Sequence, residues 1–354
     1  MENHQSALDL LELLSCPGFC VKDGAIIRAN QAASQLLLGC GTALAPLLHT
    51  GSQEYEAFTG GCLYLTLQLQ EKIYPASVTA VEDWHLFLLE APQELPELQA
   101  YALAAQALRQ PLTTLMTLPG SELLRAEDPK LQKQASLVSR SLFQLLRLVG
   151  NMADAHRYRT AAPVLQMQNI TAVLEEIFSR LVILCRGTGV SIRFTNLRQN
   201  IYCLVDAEKL ERGIYNIISN SMKSLPQGGQ IQAALTRSGS QLLLRIQDNG
   251  SGIPGNQRSG VYRSYLRQPG LDRAEQGVGL GMQFICAAAT AHGGTVLLEN
   301  PPEGGTKLTM TLPIRQSASA AVHSPRLQVD YAGEWDHALT ELSDCLPDAL
   351  YRDI

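Results

Sequence analysis

The sequence is short of the features that would assign it to several large protein classes. Its 354 residues contain no apolar run long enough to cross a bilayer, and MENHQSALDL is not a basic segment that leads into a short apolar one. Charged residues make up only 17%, and the formal net charge of -5 argues against a nucleic-acid-binding face. We therefore expect a cytoplasmic protein with neither a membrane span nor a nucleic-acid partner.

Cysteine pairs of the metal-binding kind are also missing. None of the eight cysteines forms a CxxC pair, and only Cys16 and Cys20 are close together. Because no histidine or second pair completes a metal site near them, we expect reduced thiols that serve as small apolar side chains.

Residues 1–92 have the pattern of a small domain of mixed helix and strand. Two β-rich runs meet at Asp23-Gly24, a strong hairpin signal, and a helical stretch follows. LYLTLQL, KIYPASVTAV and WHLFLLE then predict three strands. This order resembles a PAS-type sensor domain. His49 and His85 are the candidate ligands of a bound cofactor there, although ordinary surface or half-buried histidines are the expected interpretation.

Residues 98–160 carry an apolar heptad pattern in two consecutive segments. The apolar positions are Leu98, Tyr101, Ala105, Leu108, Leu112 and Leu115, and then Leu131, Ala135, Val138, Leu142, Leu145, Val149 and Met152. This spacing predicts an antiparallel helical hairpin. Since one hairpin cannot cover its apolar seam on both sides, we expect a homodimer in which two hairpins form a four-helix bundle. A hairpin packed inside a monomer is the alternative.

Residues 165–315 have α/β character, and one of their helices carries a polar stripe. The pattern predicts this helix over Ala207 to Ser224, with Leu210, Ile214, Ile217, Ile218 and Leu225 on one side. Asn216, Asn220 and Lys223 lie on the opposite side at i, i+4 and i+7. Amide oxygens suit a hydrated Mg²⁺ ion and lysine suits phosphate, although a solvated helix face is the simpler explanation.

Two glycine clusters follow this helix. An apolar strand runs into Asp248-Asn249-Gly250-Ser251-Gly252, where a carboxylate can accept an exocyclic amine and glycines let the backbone approach a flat ring. Gly277-Val278-Gly279-Leu280-Gly281 then precedes a predicted helix, whose unpaired N–H groups favour phosphate. The stretch between them contains Arg258, Arg263, Arg267 and Arg273, a composition that fits a basic flap over a polyphosphate.

The order of these pieces carries more information than any one of them. NIISNSMK, DNGSGIP, GVGLG and GGTKLTMTLP resemble the N, G1, G2 and G3 boxes of the gyrase, heat-shock chaperone, histidine kinase and mismatch-repair (GHKL) ATPase superfamily. Within it, residues 165–315 are most similar to the catalytic domain of bacterial sensor histidine kinases.

The resemblance implies a role for each box. Asp248 would bind the adenine amino group, with Gly250, Gly252 and Thr306 around the base. Asn220, assisted by Asn216, would hold Mg²⁺, and Lys223 with the backbone of Gly277, Gly279 and Gly281 would hold the phosphates of ATP. The hydrolysing members carry a glutamate base where this chain has Asn216, so the site favours transfer over hydrolysis. The phenylalanine-rich box of the family is only VYRSY here, residues 261–265, which puts phosphoryl transfer in more doubt than nucleotide binding.

The same resemblance identifies a missing group in the hairpin. Sensor kinases carry a motif like His-Glu-Leu-Arg-Thr-Pro-Leu in the first helix, and here Gln106-Ala107-Leu108-Arg109-Gln110-Pro111-Leu112 takes its place. A glutamine amide has no usable nitrogen lone pair, so Gln106 cannot accept a phosphoryl group as histidine does. His156, at the end of the second helix, is the alternative candidate acceptor, although a surface histidine is the expected interpretation. His292 is interpreted as a structural histidine.

These observations predict a multidomain α+β protein. Its parts are a PAS-like domain (1–92), a dimeric hairpin (98–160), a two-layer α/β sandwich of the GHKL type (165–315) and a linker with an accessory helix (316–354). The expected function is that of a cytoplasmic sensor histidine kinase-like transferase that binds Mg-ATP, with self-phosphorylation impaired and a response regulator or a second kinase as its partner. A non-enzymatic ATP-gated scaffold and a kinase whose acceptor lies on another protein are the alternatives.

Overall fold

A computed structural model of the chain describes most of its length. The described residues are 11–90 without 13 and 15, 103–109 without 106, 112, 115, 128–160, 162–254, 262, 281–316, 322–323 and 336–352; within 128–160, side chains are described only to residue 154. Outside the described residues lie Gln106, Gly277, Gly279, the four arginines of the predicted flap and the linker on either side of 322–323.

The N-terminal region contains the predicted hairpin, helix and three-strand meander. Asp23 and Gly24 have φ angles of 50° and 76°, which matches a two-residue hairpin turn whose twist follows that of the strands. Its strands are β1 (Gly18–Lys22), β2 (Ala25–Ala29), β3 (Cys62–Leu69), β4 (Lys72–Val81) and β5 (Trp84–Leu89), and its short helices are α1 (Gln31–Ser34) and α2 (Ser52–Glu56). A 3-10 turn covers Ala45–Leu47. These elements confirm the predicted secondary structure, and the likeness to a PAS-type domain stays a prediction.

The hairpin is described through its second helix, α3 (Pro129–Thr160), and part of its first helix. Ala105 and Leu112 of the first helix are buried, and they pack with Val149, Leu142 and Met152 of α3. This packing confirms that the two segments lie side by side along one half of the predicted seam.

The C-terminal α/β region packs three helices against a sheet. Its helices are α4 (Ile170–Leu184), α5 (Ala207–Ser224) and α6 (Gly281–His292), and its strands are β6 (Gln166–Asn169), β7 (Ser191–Thr195), β8 (Tyr202–Val205), β9 (Gln230–Ser238), β10 (Gln241–Asp248), β11 (Val296–Glu299), β12 (Lys307–Pro313) and β13 (Val322–His323). Apolar residues of α4, α5 and α6 share one core with those of the strands. The predicted two-layer arrangement is therefore present. A small sheet of β13, β6 and β8, which the sequence pattern did not predict, is also present.

The N-terminal sheet and the ATPase-like sheet are continuous. Ten strands pair in the order β2-β1-β5-β4-β3-β11-β12-β10-β9-β7. The junction is antiparallel, with Tyr64 of β3 opposite Val296 of β11 and Cys62 opposite Leu298. The helical hairpin separates the N-terminal region from the C-terminal α/β region in sequence, but one antiparallel strand pair joins the two regions in the structure.

The C-terminal segment of residues 336–352 folds back onto the rest of the chain. Asp336 caps helix α7 (His337–Glu341) by accepting from the N–H of Leu339, and a 3-10 turn follows at Asp348–Tyr351. Leu342, Leu346 and Tyr351 are fully buried in the core shared with α5. The expected accessory helix is therefore a single short one that docks on the ATPase-like core.

Two general features of the chain complete the description. All eight cysteines are free thiols, and five of them are buried, as expected from their scattered positions. Among the described residues, no helix combines the length and apolarity that a membrane crossing requires.

Candidate functional site

The carboxylate of Asp248 ends β10 and is fixed by three hydrogen bonds. Its Oδ1 accepts from the backbone N–H of Gly250 at 2.9 Å and of Thr306 at 3.0 Å, and its Oδ2 accepts from Ser221 Oγ at 2.8 Å. Asp248 is 5% exposed. Because an ionised carboxylate offers about four acceptor positions, these bonds orient the group and leave acceptor capacity for a further donor.

The glycines around Asp248 lie where a side chain has no room. A Cβ on Gly305 would lie 1.9 Å from the carbonyl oxygen of Asp248, and one on Gly252 would lie 3.0 Å from that of Gly305. Both residues have left-handed φ angles, 81° and 72°. A Cβ on Gly250 would meet the Oγ of Ser224 at 2.6 Å. These glycines let the G1 and G3 loops approach each other closely beside the carboxylate.

Helix α5 presents the polar stripe because its apolar residues face the core. Asp206 caps the helix by accepting from Lys209 N–H at 3.1 Å, and Leu210, Ile214 and Ile218 are fully buried. Asn216, Asn220 and Lys223 lie on another side of the helix, where Asn216 is buried and Asn220 is exposed.

The start of α6 lies directly against this stripe. A Cβ on Gly281 would lie 3.0 Å from Asn216 Oδ1 and 3.5 Å from Asn220 Nδ2. The last glycine of GVGLG is therefore beside both asparagines, while Gly277 and Gly279 lie outside the described residues. The N-terminus of a helix at this point favours a bound anion.

The three residues of the stripe differ in their surroundings. Asn216 is 1% exposed, and its Nδ2 donates to the carbonyl oxygen of Arg212 at 2.9 Å and to Glu341 Oε2 at 3.4 Å. Asn220 is exposed. Lys223 Nζ lies 2.7 Å from Asp344 Oδ2. Glu341 and Asp344 belong to the C-terminal segment, so this segment reaches the stripe.

Several groups at the site carry no signal in the sequence. Ser221 follows Asn220 by one position, but only the fold shows that it holds Asp248. Arg147 of α3 donates to Ser219 Oγ at 3.3 Å and lies 2.5 Å from Asp344 Oδ2. The two contacts of Arg147 join residues more than 70 positions apart, and spacing rules do not reach that far.

Tyr262, from the VYRSY stretch, contacts strands β3 and β11. It is 2% exposed and its hydroxyl lies near the carbonyl oxygens of Cys62 and Val296, at 2.9 and 3.1 Å. The rest of the predicted flap lies outside the described residues. The described part of VYRSY thus contacts the junction between the two halves of the ten-stranded sheet.

His292 and His85 make contacts within the protein. His292 Nε2 accepts from the backbone N–H of Asp206 at 3.0 Å, and its Nδ1 lies 2.7 Å from the carbonyl oxygen of Ala288. Burial lowers the pKa of His292, which keeps the ring neutral. His85 Nδ1 lies 2.9 Å from Tyr55 Oη. The structural interpretation of His292 is confirmed, and the side chain of His156 lies outside the described residues.

Comparison with known families identifies the domain that carries the site. Residues 205–316 match a family model described as "Histidine kinase-, DNA gyrase B-, and HSP90-like ATPase". These residues form an ATPase domain of the GHKL type, and they contain every described residue of the four boxes.

Relatives with similar sequences include histidine kinases and sensor proteins of signal transduction. Hybrid signal transduction histidine kinase D of Dictyostelium discoideum is 31% identical over 241 residues, 64% of this chain and 15% of the relative. Sensor protein KdpD of Escherichia coli is 31% identical over 213 residues, 58% and 23% of the two chains. The histidine-protein kinase/phosphatase MprB of Mycolicibacterium vanbaalenii is 28% identical over 68% of this chain and 51% of its own. The chain thus spans about half of these relatives' length or less.

The comparison with solved structures includes two kinases among its matches. Full-length ShkA in complex with AMPPNP has 19% sequence identity and a TM-score of 0.48, covering 63% of this chain and 47% of its own. The histidine kinase ThkA in complex with the response regulator TrrA has 16% identity and a TM-score of 0.41, covering 86% and 98%.

Proposed function

We propose that this chain is a sensor histidine kinase-like signalling protein that binds Mg-ATP and lacks its own phospho-acceptor, because Gln106 takes the place of the histidine. The observation that carries the proposal is the Asp248 carboxylate. Two backbone N–H groups and Ser221 fix it beside glycine loops, and it retains acceptor capacity. Such a group fits the exocyclic amine of adenine.

The phosphate end of the site is supported by the meeting of α5 and α6. Asn220 is exposed next to Gly281, where the helix N-terminus adds positive potential. We assign Mg²⁺ to Asn220 with Asn216 behind it, and phosphate to Lys223 and the G2 backbone. The metal, when bound, neutralises phosphate charge, and these residues position it.

The chemistry at Asn216 favours transfer or simple binding over hydrolysis. The amide Nδ2 of Asn216 donates to the carbonyl of Arg212, and an amide does not accept a proton from water near neutral pH. Hydrolysing members of the superfamily carry a glutamate base at this position, and Asn216 of this chain cannot act as one.

A homodimer is supported by exposed apolar residues at heptad spacing. On α3, Leu131, Val138 and Leu145 are 39%, 58% and 45% exposed, and on the first helix Leu108 and Leu115 are 50% and 54% exposed. The alternating positions Ala105, Leu112 and Val149 are buried within the chain. Half of the seam is thus covered internally, and a second hairpin is the partner whose apolar pattern matches the other half.

The missing acceptor histidine indicates which kind of protein the dimer binds. A response regulator or a second kinase would supply the group that Gln106 cannot, or the chain would act as an ATP-gated scaffold without chemistry. The histidine kinase relatives support a partner of the two-component type.

Incubation with γ-labelled ATP tests these possibilities. We expect no acid-labile label on the native chain, and label on the Gln106→His variant if the transfer machinery is intact. Label on an added histidine kinase or regulator identifies an acceptor in trans. Nucleotide binding without any transfer, in both proteins, leaves the ATP-gated scaffold. Label on the native chain contradicts the absence of its own acceptor.

A further inference from the structure

Acidic side chains of the C-terminal segment, residues 336–352, contact the groups to which we assign nucleotide phosphate and metal. Asp344 Oδ2 lies 2.7 Å from Lys223 Nζ, and Glu341 Oε2 accepts from Asn216 Nδ2 at 3.4 Å. Lys223 and Asn216 are the two ends of the polar stripe on α5. Carboxylates therefore already engage both ends of a stripe that the sequence assigns to ATP.

Two arginines of the hairpin helix hold the same segment. Arg147 lies 3.4 Å from Glu341 Oε2 and 2.5 Å from Asp344 Oδ2. Arg140 lies 2.7 Å from Asp348 and donates to the carbonyl oxygens of Ser343 and Asp344 at 2.9 and 3.0 Å. The segment thus links α3 to α5, the hairpin to the ATPase domain.

A buried charge cluster extends this link. Arg212 of α5 is 1% exposed, and its guanidinium contacts Asp154 of α3 and lies 3.1 Å from Glu341 Oε1. Glu341 therefore contacts cations from both α3 and α5. Charges buried this deeply need their partners, so removal of the segment would leave Arg147 and Arg212 without one of theirs.

Apolar burial gives the segment a stable docked position. Leu342, Leu346 and Tyr351 are fully buried, and the Tyr351 ring lies 5.0 Å from that of Phe143 in α3. Docking therefore does not depend on the Lys223 pair alone. The Lys223–Asp344 pair is partly exposed to solvent, with side-chain exposures of 30% and 31%, so another anion can reach the lysine.

Asp344 is held in its charged form. Burial alone would raise the pKa of Asp344, but Arg147 and Lys223 outweigh that effect and keep the pKa below its ordinary value. At neutral pH the carboxylate therefore presents a full negative charge to the lysine assigned to phosphate.

We propose that the C-terminal segment competes with nucleotide for the same site. The carboxylates of Asp344 and Glu341 contact the groups that would otherwise bind the phosphates and metal of Mg-ATP. This inference rests on the proposed function, because it assumes that Lys223 and Asn216 belong to the nucleotide site. Nucleotide binding and docking of the segment then exclude each other. Nucleotide releases Arg140 and Arg147 of α3 from the segment, and so removes the link that the segment forms between α3 and α5.

The competition has a quantitative consequence. If the segment is docked in most molecules, the apparent dissociation constant of nucleotide equals the intrinsic one divided by the undocked fraction. A segment docked about nine times in ten therefore weakens apparent affinity about tenfold.

Charge reversal on the segment tests this consequence. Asp344→Lys places a third cation beside Lys223 and Arg147, and Glu176→Lys makes the same charge change on an exposed position of α4. We expect Asp344→Lys to bind Mg-ATP about tenfold more tightly than Glu176→Lys in titration calorimetry. Thermal unfolding of both variants verifies that each is folded.

Hydrogen–deuterium exchange of the unmodified chain tests it without any substitution. The amides of Thr340, Leu342 and Leu346 donate within the docked segment. We expect Mg-ATP to increase exchange of residues 336–352, whereas Mg²⁺ alone leaves it unchanged.

The outcomes separate this inference from the function on which it rests. Tighter binding by Asp344→Lys with increased exchange supports the competitor. Equal Mg-ATP affinities of the two variants, with exchange of residues 336–352 unchanged by nucleotide, overturn it and leave nucleotide binding standing. Absence of Mg-ATP binding by the native chain and by both variants overturns the proposed function itself.

Discussion

The hydroxyl of Tyr262 donates to the backbone carbonyl of Cys62 at 2.9 Å, across 200 positions of sequence. The same oxygen lies 3.1 Å from the carbonyl of Val296, and the Tyr262 ring is 5.5 Å from that of Tyr64. Cys62 and Val296 belong to β3 and β11, the strands that join the N-terminal sheet to the ATPase sheet. Tyr262, which lies between the two glycine clusters in sequence, therefore stabilises the junction of β3 and β11.

Removal of that hydroxyl should weaken the junction. We expect Tyr262→Phe to lower the free energy of unfolding by about 1–3 kcal/mol, because the buried carbonyl oxygen of Cys62 loses its donor. Tyr202→Phe, at a side chain that is 40% exposed, should change it by less than about 0.5 kcal/mol. Urea unfolding followed by circular dichroism measures both, and equal values for the two variants would contradict the role of the hydroxyl.

The adenine assignment predicts a change of base preference. In Asp248→Asn the remaining carbonyl oxygen still accepts from Gly250 and Thr306, but an NH₂ group replaces the second oxygen. We expect ATP affinity to fall about tenfold or more, since two donors then face each other. Inosine triphosphate, which presents an oxygen in place of the amine, should lose less. Calorimetric titration of Asp248→Asn and of the native chain with both nucleotides measures these affinities. An ATP affinity that is unchanged in the variant would mean that adenine does not bind at Asp248.

The adjacent glycines Gly304 and Gly305 form a matched pair. Both have left-handed φ angles, 94° and 81°, but only a Cβ on Gly305 meets the backbone of Asp248, at 1.9 Å. Gly304→Ala should cost about 1–2 kcal/mol through backbone strain. Gly305→Ala should cost more and also reduce nucleotide affinity. Chemical unfolding of both variants is the measurement, and equal costs would mean that the loop relaxes freely.

The exposed apolar stripe of the hairpin predicts the oligomeric state. We expect the native chain to be a dimer at micromolar concentration in size-exclusion chromatography with light scattering. Val138→Lys should shift it to a monomer, because it places a charge in the seam. Gln134→Lys adds the same charge at an exposed position of α3 outside the seam and should stay dimeric. A native chain that elutes as a monomer would refute the bundle.

His337 makes docking of the C-terminal segment dependent on pH. Its Nδ1 lies 3.2 Å from Glu211 Oε2 and its Nε2 lies 3.8 Å from Glu341 Oε1, with Arg212 and the Tyr215 ring also facing it. Burial lowers the pKa of His337, but the hydrogen bond and charge of Glu211 and the charge of Glu341 outweigh it and raise the pKa above its ordinary value.

The sign of this effect follows from linkage. A raised pKa in the folded state stabilises the fold fully below the unfolded-state pKa of about 6.5, and the contribution disappears as pH rises through the folded-state value. We therefore expect His337→Gln to destabilise the protein more at pH 6 than at pH 8. Urea unfolding of both proteins at the two pH values measures the difference. A difference that does not change with pH would mean that His337 stays neutral throughout.

The sequence determined the local structure of the site because its signals are short-range. Periodicity located the helix over Ala207–Ser224, and the glycines and Asp248 marked the loops, since each of these features depends on residues only a few positions apart. The resemblance to the four boxes then identified the ATPase domain, which the match over residues 205–316 confirms.

Only the tertiary structure decided what surrounds these groups. Ser221 holds Asp248, Glu341 and Asp344 contact the α5 stripe, and β3 pairs with β11, although none of these partners is signalled by spacing. The contacts of Glu341 and Asp344 with α5 join residues more than 100 positions apart, and their formation depends on apolar burial of the C-terminal segment against α3 and α5. Hydrophobic burial has no direction and no period along the chain, so the sequence alone does not specify which surface receives that segment.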